Sequence, residues 1–137
     1  MVMKKKPKVN PQVIIPSNHQ NPPEPHEVDV ALILSRHYQT TVEFIIPVDD
    51  FKRKSADIVM LGVEWEIKSP KGDSKTTIGA QFRRASRQSS NIVLDTRRTK
   101  LKYDGIEKQV IIEAKQRSAI NKVLIINKSG KIVEIKK

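Results

Sequence analysis

Ser55–Pro70 reads Ser-Ala-Asp-Ile-Val-Met-Leu-Gly-Val-Glu-Trp-Glu-Ile-Lys-Ser-Pro, and the reading of this stretch decides the fold. Ala56–Leu61 has the composition of a strand, and Glu64–Lys68 alternates polar with apolar as a strand does. Gly62-Val63 between them has the form of a two-residue loop with Gly first, which suits a type II′ turn. That turn pairs Leu61 with Glu64, Val59 with Glu66 and Asp57 with Lys68. Side chains on a strand alternate between faces with a period of two. Asp57, Val59, Leu61, Glu64, Glu66 and Lys68 therefore share one face. Ile58, Met60, Trp65 and Ile67 share the other, which is wholly apolar and belongs to a core.

The polar face has chemistry in it. Directly opposed residues of a hairpin have Cβ atoms roughly 5 Å apart, and diagonal neighbours about 7 Å. Asp57 is expected opposite Lys68, with Glu66 on the diagonal, so one cation can reach both carboxylates. Mg²⁺ takes one or two protein carboxylates and fills its other positions with water and phosphate oxygens. A water so bound is acidified, and charge on a phosphate is offset. Lys68 is placed to orient the water or to neutralise developing charge. A half-solvated hairpin with its charges in water is the plain alternative. Against it, Asp57 shares its face with Val59 and Leu61, and a carboxylate in partly apolar surroundings needs a partner or a metal.

The composition narrows the partner. The chain has 137 residues, room for one domain with a real core, and a formal net charge of +11 with pI near 10. An anionic partner follows, and nucleic acid is favoured over a membrane because no basic amphipathic helix of the interfacial kind is present. Residues 97–137 carry Arg97, Arg98, Lys100, Lys102, Lys108, Lys115, Arg117, Lys122, Lys128, Lys131, Lys136 and Lys137 against Asp104, Glu107, Glu113 and Glu134. The basic excess is thus not confined to the Lys-rich start. There is no cysteine, which excludes disulfides, thiolate zinc sites and a cysteine nucleophile. The histidines are His19, His26 and His37, two of them at or before the expected start of the domain, which argues against a histidine-pair ribonuclease. No apolar run is long enough to span a bilayer, and the first residues lack the apolar stretch of a signal peptide.

Residues 1–24 are rich in Lys, Asn, Gln and Pro and are expected to be a disordered tail or linker, with Val13-Ile14-Ile15 the one stretch of strand composition. Residues 25–137 form the expected domain. A helix is predicted from Pro25 to Tyr38, with Val30, Ala31, Leu34 and Tyr38 on its apolar face. Glu27 lies one turn before Ala31 on that face, either as a first-turn acid favoured by the helix dipole or as a catalytic group. Thr41–Pro47 is a predicted strand and Val48–Ser55 a charged loop. After the hairpin, Ser69–Lys75 turns, bringing Lys71 within reach of phosphate. Thr76 or Thr77 caps a helix running to about Ser90, with Ile78, Phe82 and Ala85 inward. Gln81, Arg84 and Gln88 make a polar stripe beside that face, a solvated stripe or a substrate contact. Asn91–Asp95 is a short buried strand, followed by Arg97 and Arg98. Ile106–Ser118 is helical, with Ile106, Val110, Ile111 and Ala114 inward. Lys122–Asn127 and Lys131–Ile135 close the chain as a hairpin about Ser129-Gly130.

This order of elements, with Asp57 and Glu66-Ile67-Lys68 on the second and third strands, resembles the core of the PD-(D/E)xK nuclease superfamily. Ala56 stands where the name-giving proline would be. Residues 26–96 resemble more closely the C-terminal toxin domains of contact-dependent growth inhibition proteins, of the tRNA-nuclease type. The positions that carry the resemblance are Glu27, Asp57, Trp65-Glu66-Ile67-Lys68-Ser69, Ala85, Gln88 and Asp95. It implies an α/β fold, here an α+β restriction-endonuclease-like core with a mixed central sheet flanked by helices. It implies Glu27, Asp57, Glu66 and Lys68 as catalytic residues, with Asp57, Glu66 and Glu27 on Mg²⁺ or Mn²⁺. It also implies an immunity protein as partner, and action in the cytoplasm after delivery as part of a larger secreted toxin.

The expected activity is metal-dependent hydrolysis of RNA, tRNA in particular, with Lys71, Gln81, Arg84, Gln88, Arg97 and Arg98 on phosphates. Two rivals are kept beside it. The same chemistry acts on DNA in other enzymes of the superfamily, and a non-catalytic nucleic-acid-binding module has the same charge.

Overall fold

The computed structural model describes residues 12–17, 22–46 and 56–135. Seven strands form one sheet in chain order: β1 (Gln12–Ile14), β2 (Thr41–Phe44), β3 (Ile58–Met60), β4 (Val63–Lys68), β5 (Asn91–Asp95), β6 (Lys122–Ile126) and β7 (Ile132–Ile135). Three helices connect them: α1 (Pro25–Tyr38) between β1 and β2, α2 (Thr77–Ala85) between β4 and β5, and α3 (Tyr103–Gln116) between β5 and β6. Strands joined through a helix are parallel, and the other successive pairs are antiparallel. The result is the mixed sheet flanked by helices that the element order predicts.

Each face of the sheet has its own core. Ile58, Met60, Trp65 and Ile67 pack with Val93, Leu124 and Ile126 against Val30, Ala31 and Leu34 of α1. Ile92, Leu94, Val123 and Ile125 pack on the other side against Ile78, Phe82 and Ala85 of α2 and Ile106, Val110 and Ala114 of α3. β5 is therefore buried along its whole length, as expected of a strand covered on both faces. The apolar face read from the Asp57–Lys68 hairpin is the α1 side, and its polar face looks toward α2.

The hairpin register departs from the expected one. The turn residues are Leu61 and Gly62, with φ of +54° and +73°, so the turn is type I′ and not II′. The pairs are Ile58 with Trp65, Val59 with Glu64 and Met60 with Val63. The pairing has slid by two residues, which preserves every side chain's face and changes its opposite number. Continued one step, the register sets Asp57 opposite Glu66, where the II′ reading set it opposite Lys68.

Other boundaries moved for local reasons. Gln12–Ile14, inside the expected tail, pairs in parallel with β2 and is tied to α1 where Gln12 N–H donates to Ser35 Oγ at 2.8 Å. α2 stops at Ala85, and Ser86–Gln88 continue as turns instead of helix. α3 starts three residues earlier than its apolar period indicates, at Tyr103, and ends where Arg117 turns extended. Ile111 is only half-buried, and Glu113 takes the inward place, accepting hydrogen bonds from Gln109 Nε2 and Arg117 Nε, each at 2.9 Å. The expected charged loop Val48–Ser55, and Pro47 before it, lie outside the described residues.

Leu61 is the non-glycine residue of that I′ turn, 63% exposed and in the left-handed region. A side chain there costs roughly 1–2 kcal/mol, which Asn, tolerant of this conformation, largely avoids. Leu61→Asn is expected to stabilise the domain by about 1 kcal/mol. Thermal unfolding measures it, and a lowered midpoint would contradict the turn assignment.

Candidate active site

Glu66 sits in the middle of β4, and its neighbour across the sheet is Ile92, one of the residues under α2. Only 1% of it is exposed. On its other side β3 begins only at Ile58, and Asp57 just before it continues the pairing, its O accepting from Ile45 N–H at 2.9 Å. Asp57 N–H donates to Trp65 O at 3.0 Å, and Asp57 Oδ2 accepts the Ile67 N–H at 2.7 Å. The Asp57 carboxylate is thereby fixed by backbone on both sides of Glu66 and lies against the Glu66 carboxyl.

The Glu66 carboxyl is buried with a second carboxyl beside it. Burial first, then the hydrogen bond and negative charge of Asp57, push the Glu66 pKa up to about 9, against the opposing pull of Lys68. Lys68 Nζ lies 3.4 Å from Glu66 Oε2 and donates to Gln88 Oε1 at 3.2 Å. Gln88 comes from the turn after α2, so the early end of that helix places it over the ammonium. Glu66 Oε1 is buried with no hydrogen-bond partner. An acceptor so placed, facing a second carboxylate, fits a proton or a cation.

Beyond Lys68 the cluster continues into a second, tighter one. Ser69 Oγ donates to Asp95 Oδ2 at 3.3 Å. Asp95, fully buried at the end of β5, accepts from Arg97 Nε at 2.9 Å, Arg97 Nη2 at 3.0 Å and Arg97 N–H at 3.1 Å. Bidentate pairs of this kind are among the strong ones. Arg97 is therefore engaged in holding the β5 terminus, where the sequence suggested a phosphate contact. The Asp-x-Arg spacing was visible in the sequence. That the carboxylate is buried, and so claims the guanidinium, was not.

Asp57, Glu66, Lys68 and Gln88 are thus brought together. Glu27 is not among them. It lies in the first turn of α1, the helix on the opposite face, and its Oε1 accepts the Glu24 N–H at 2.9 Å. Among the described residues no group of three or more His, Asp or Glu is arranged to hold a metal, so the carboxylates available to one cation are Asp57 and Glu66. Of the expected phosphate contacts, Arg84 and Lys71 are exposed, while Gln81 and Arg98 are half-buried.

The family model for the contact-dependent growth inhibition CdiA C-terminal domain matches residues 54–132, more than half of the chain. No curated protein matches. Among solved structures, a chain of the CdiA-CT/CdiI toxin and immunity complex from Burkholderia pseudomallei is similar, with a TM-score of 0.60 and 18% identity over 92% of this chain and 99% of that one. At that identity the likeness is one of fold.

The raised Glu66 pKa has a definite sign for stability in metal-free buffer. The folded protein keeps a proton on Glu66 that the unfolded chain releases near pH 4.5, so folding takes up a proton between that value and about 9. Stability is highest below the unfolded pKa and falls as pH rises through this window. Glu66→Gln, which cannot ionise, is expected to melt above the parent at pH 8 and level with it near pH 4. A variant less stable than the parent at pH 8 would show that the carboxylate is not strained as described.

Proposed function

The chain belongs to the contact-dependent growth inhibition CdiA C-terminal domain family, and on that premise we propose that this toxin domain is a metal-dependent endonuclease of RNA, with tRNA as its substrate. The observation that carries the reading is the buried Glu66 carboxyl, its Oε1 unpartnered, lying against Asp57 with the Lys68 ammonium 3.4 Å away. Lys68 on a Glu-x-Lys strand facing an Asp on the neighbouring strand is the arrangement of the PD-(D/E)xK superfamily, to which we assign the domain. RNA, and tRNA within it, is taken from the resemblance of Trp65-Glu66-Ile67-Lys68-Ser69 and its companions to tRNA-nuclease toxins. The net charge of +11 supports an anionic polymer as substrate.

Asp57 and Glu66 would hold one Mg²⁺ or Mn²⁺ between them. When bound, that cation supplies an acidified water and offsets charge on the scissile phosphate. Glu66, whose burial beside Asp57 favours its neutral form, would have to give up its proton to hold that cation. Lys68, held at Gln88 Oε1, is positioned to donate to the attacking oxygen or to a phosphate oxygen as charge builds. Gln88 keeps the ammonium off a full ion pair with Glu66 and aims it toward the α2 side. Asp95, clamped by Arg97 at the end of β5, accepts the Ser69 hydroxyl just past the end of β4 and so acts on the site by position. Arg84 and Lys71 are exposed and available to phosphates along the same side.

A cognate immunity protein is proposed as the protein partner, following the complex in which the structural relative is found. Delivery as the C-terminal part of a secreted toxin follows from the family. Among the described residues no helix is long and apolar enough to cross a membrane.

Purified protein incubated with total tRNA is expected to cleave it in Mg²⁺ and not in EDTA, leaving 5′-phosphates. Asp57→Ala, Glu66→Gln and Lys68→Ala are each expected to lower the rate by roughly 100-fold or more. Cleavage of DNA but not RNA would move the substrate class. A 2′,3′-cyclic phosphate product would remove the water-attack mechanism, and parental activity in Glu66→Gln would remove the site.

A further inference from the structure

A cavity of about 370 Å³ opens between the N-terminal ends of α2 and α3, lined by Ser74, Lys75, Ile78, Leu101, Lys102, Gly105, Ile106 and Gln109. Its floor is apolar: Ile78 is 3% exposed and Ile106 is 1% exposed, with Leu101 half-buried beside them. Its rim is cationic, because Lys75 and Lys102 are both exposed, and the two lysines come from different elements. The acids nearby in sequence, Asp73 and Asp104, are not in its lining. We infer that this cavity takes one nucleotide of the substrate strand, base on the apolar floor and phosphate between Lys75 and Lys102, away from the bond that is cut.

The chemistry favours a nucleotide over a simple anion or an acidic protein. A flat apolar floor offers nothing to a bare phosphate, whereas a base has a hydrophobic face to bury. Gln109 and Ser74 supply amide and hydroxyl groups at the edge, where a base presents its donors and acceptors. The volume suits a single small group set into a pocket, and a protein partner would instead meet a broad surface. The cavity also lies on the side of the sheet that carries the carboxylates. Ile78 lies in the first turn of α2 and Gln88 in the turn beyond its end at Ala85, which is itself about 10 Å along the axis from Ile78, so the bound nucleotide is not the scissile one.

Gly105 gives an independent handle. A Cβ built on it meets nothing within 4 Å, and its φ is not positive. No backbone requirement or close packing therefore explains a glycine in this helix, while its missing side chain leaves the mouth of the cavity open. Gly105→Met places a side chain into that mouth without changing charge, and it raises helix propensity, so loss of folding does not confuse the result.

The proposal rests on the RNA-nuclease reading for its biological ligand, and a titration separates the two. The isotope-labelled full chain is titrated with nucleoside 5′-monophosphates, with inorganic phosphate and with polyglutamate, following the amide signals of Gly105, Ile106 and Gln109. Nucleotides are expected to shift them saturably, with affinity at least tenfold weaker in Lys75→Glu/Lys102→Glu and in Gly105→Met. Inorganic phosphate binding as tightly as the nucleotides would overturn the base-binding part. Polyglutamate competing as well as a nucleotide would overturn it in favour of an acidic protein, and unmoved signals would overturn it outright. In cleavage assays the same variants are expected to raise KM for tRNA tenfold or more with kcat retained. If the parent cuts no nucleic acid, the nuclease reading fails while the titration still judges the cavity.

Discussion

One interaction organises this molecule: the Glu66 carboxyl is buried in the sheet beside the Asp57 carboxyl and answered on one oxygen by Lys68. A carboxyl so enclosed beside another is costly to ionise without a compensating cation. Everything around them keeps them enclosed. The backbone of Trp65 and Ile67 fixes Asp57, the parallel strand β5 backs Glu66 with Ile92, and α2 with its trailing turn delivers Gln88 to Lys68. A fold optimised for stability alone would place an apolar residue at Glu66. Glu66 instead costs stability where it stands, with one carboxyl oxygen left without a hydrogen-bond partner.

The flanking layers explain how such a strained point is tolerated. Each face of the sheet has a separate apolar core, one under α1 and one under α2 and α3. The charged cluster lies on the α2 side at β4, the central strand, beside the core under α2 and α3. The second buried carboxylate, Asp95, carries no comparable tension, because Arg97 meets it with two guanidinium hydrogen bonds and a backbone N–H. A satisfied acid and an unsatisfied one thus stand on adjacent strands.

The hairpin illustrates how much of this was legible. The alternation from Asp57 to Lys68 put the apolar strand residues Ile58, Met60, Trp65 and Ile67 on one face, because a period of two is a property of any strand, while Leu61 proved to be a turn residue. The turn was misplaced by one residue, since Gly62 suits the first position of a II′ turn and the second of an I′ turn equally well. The slip in pairing was two residues, so the faces survived and only the partners changed. Helix α1 was legible from its Pro25 start and apolar period to the residue. The end of α2 and the start of α3 were not, because no breaker residue marks either.

By itself, the sequence determined which elements follow residue 24, which faces are apolar, and that Asp57, Glu66 and Lys68 lie on one side of a sheet in a basic chain. Those follow from local periodicity and from charge, which need no knowledge of what packs where. The tertiary structure alone decided that Glu66 is buried, that Asp57 opposes it directly, and that Arg97 is claimed by Asp95. It alone put Glu27 in a helix cap, and made Gln12–Ile14 a strand of the sheet. Each of these depends on contacts between residues far apart in the chain, and burial, the quantity that sets the charge of Glu66, exists only once those contacts have formed.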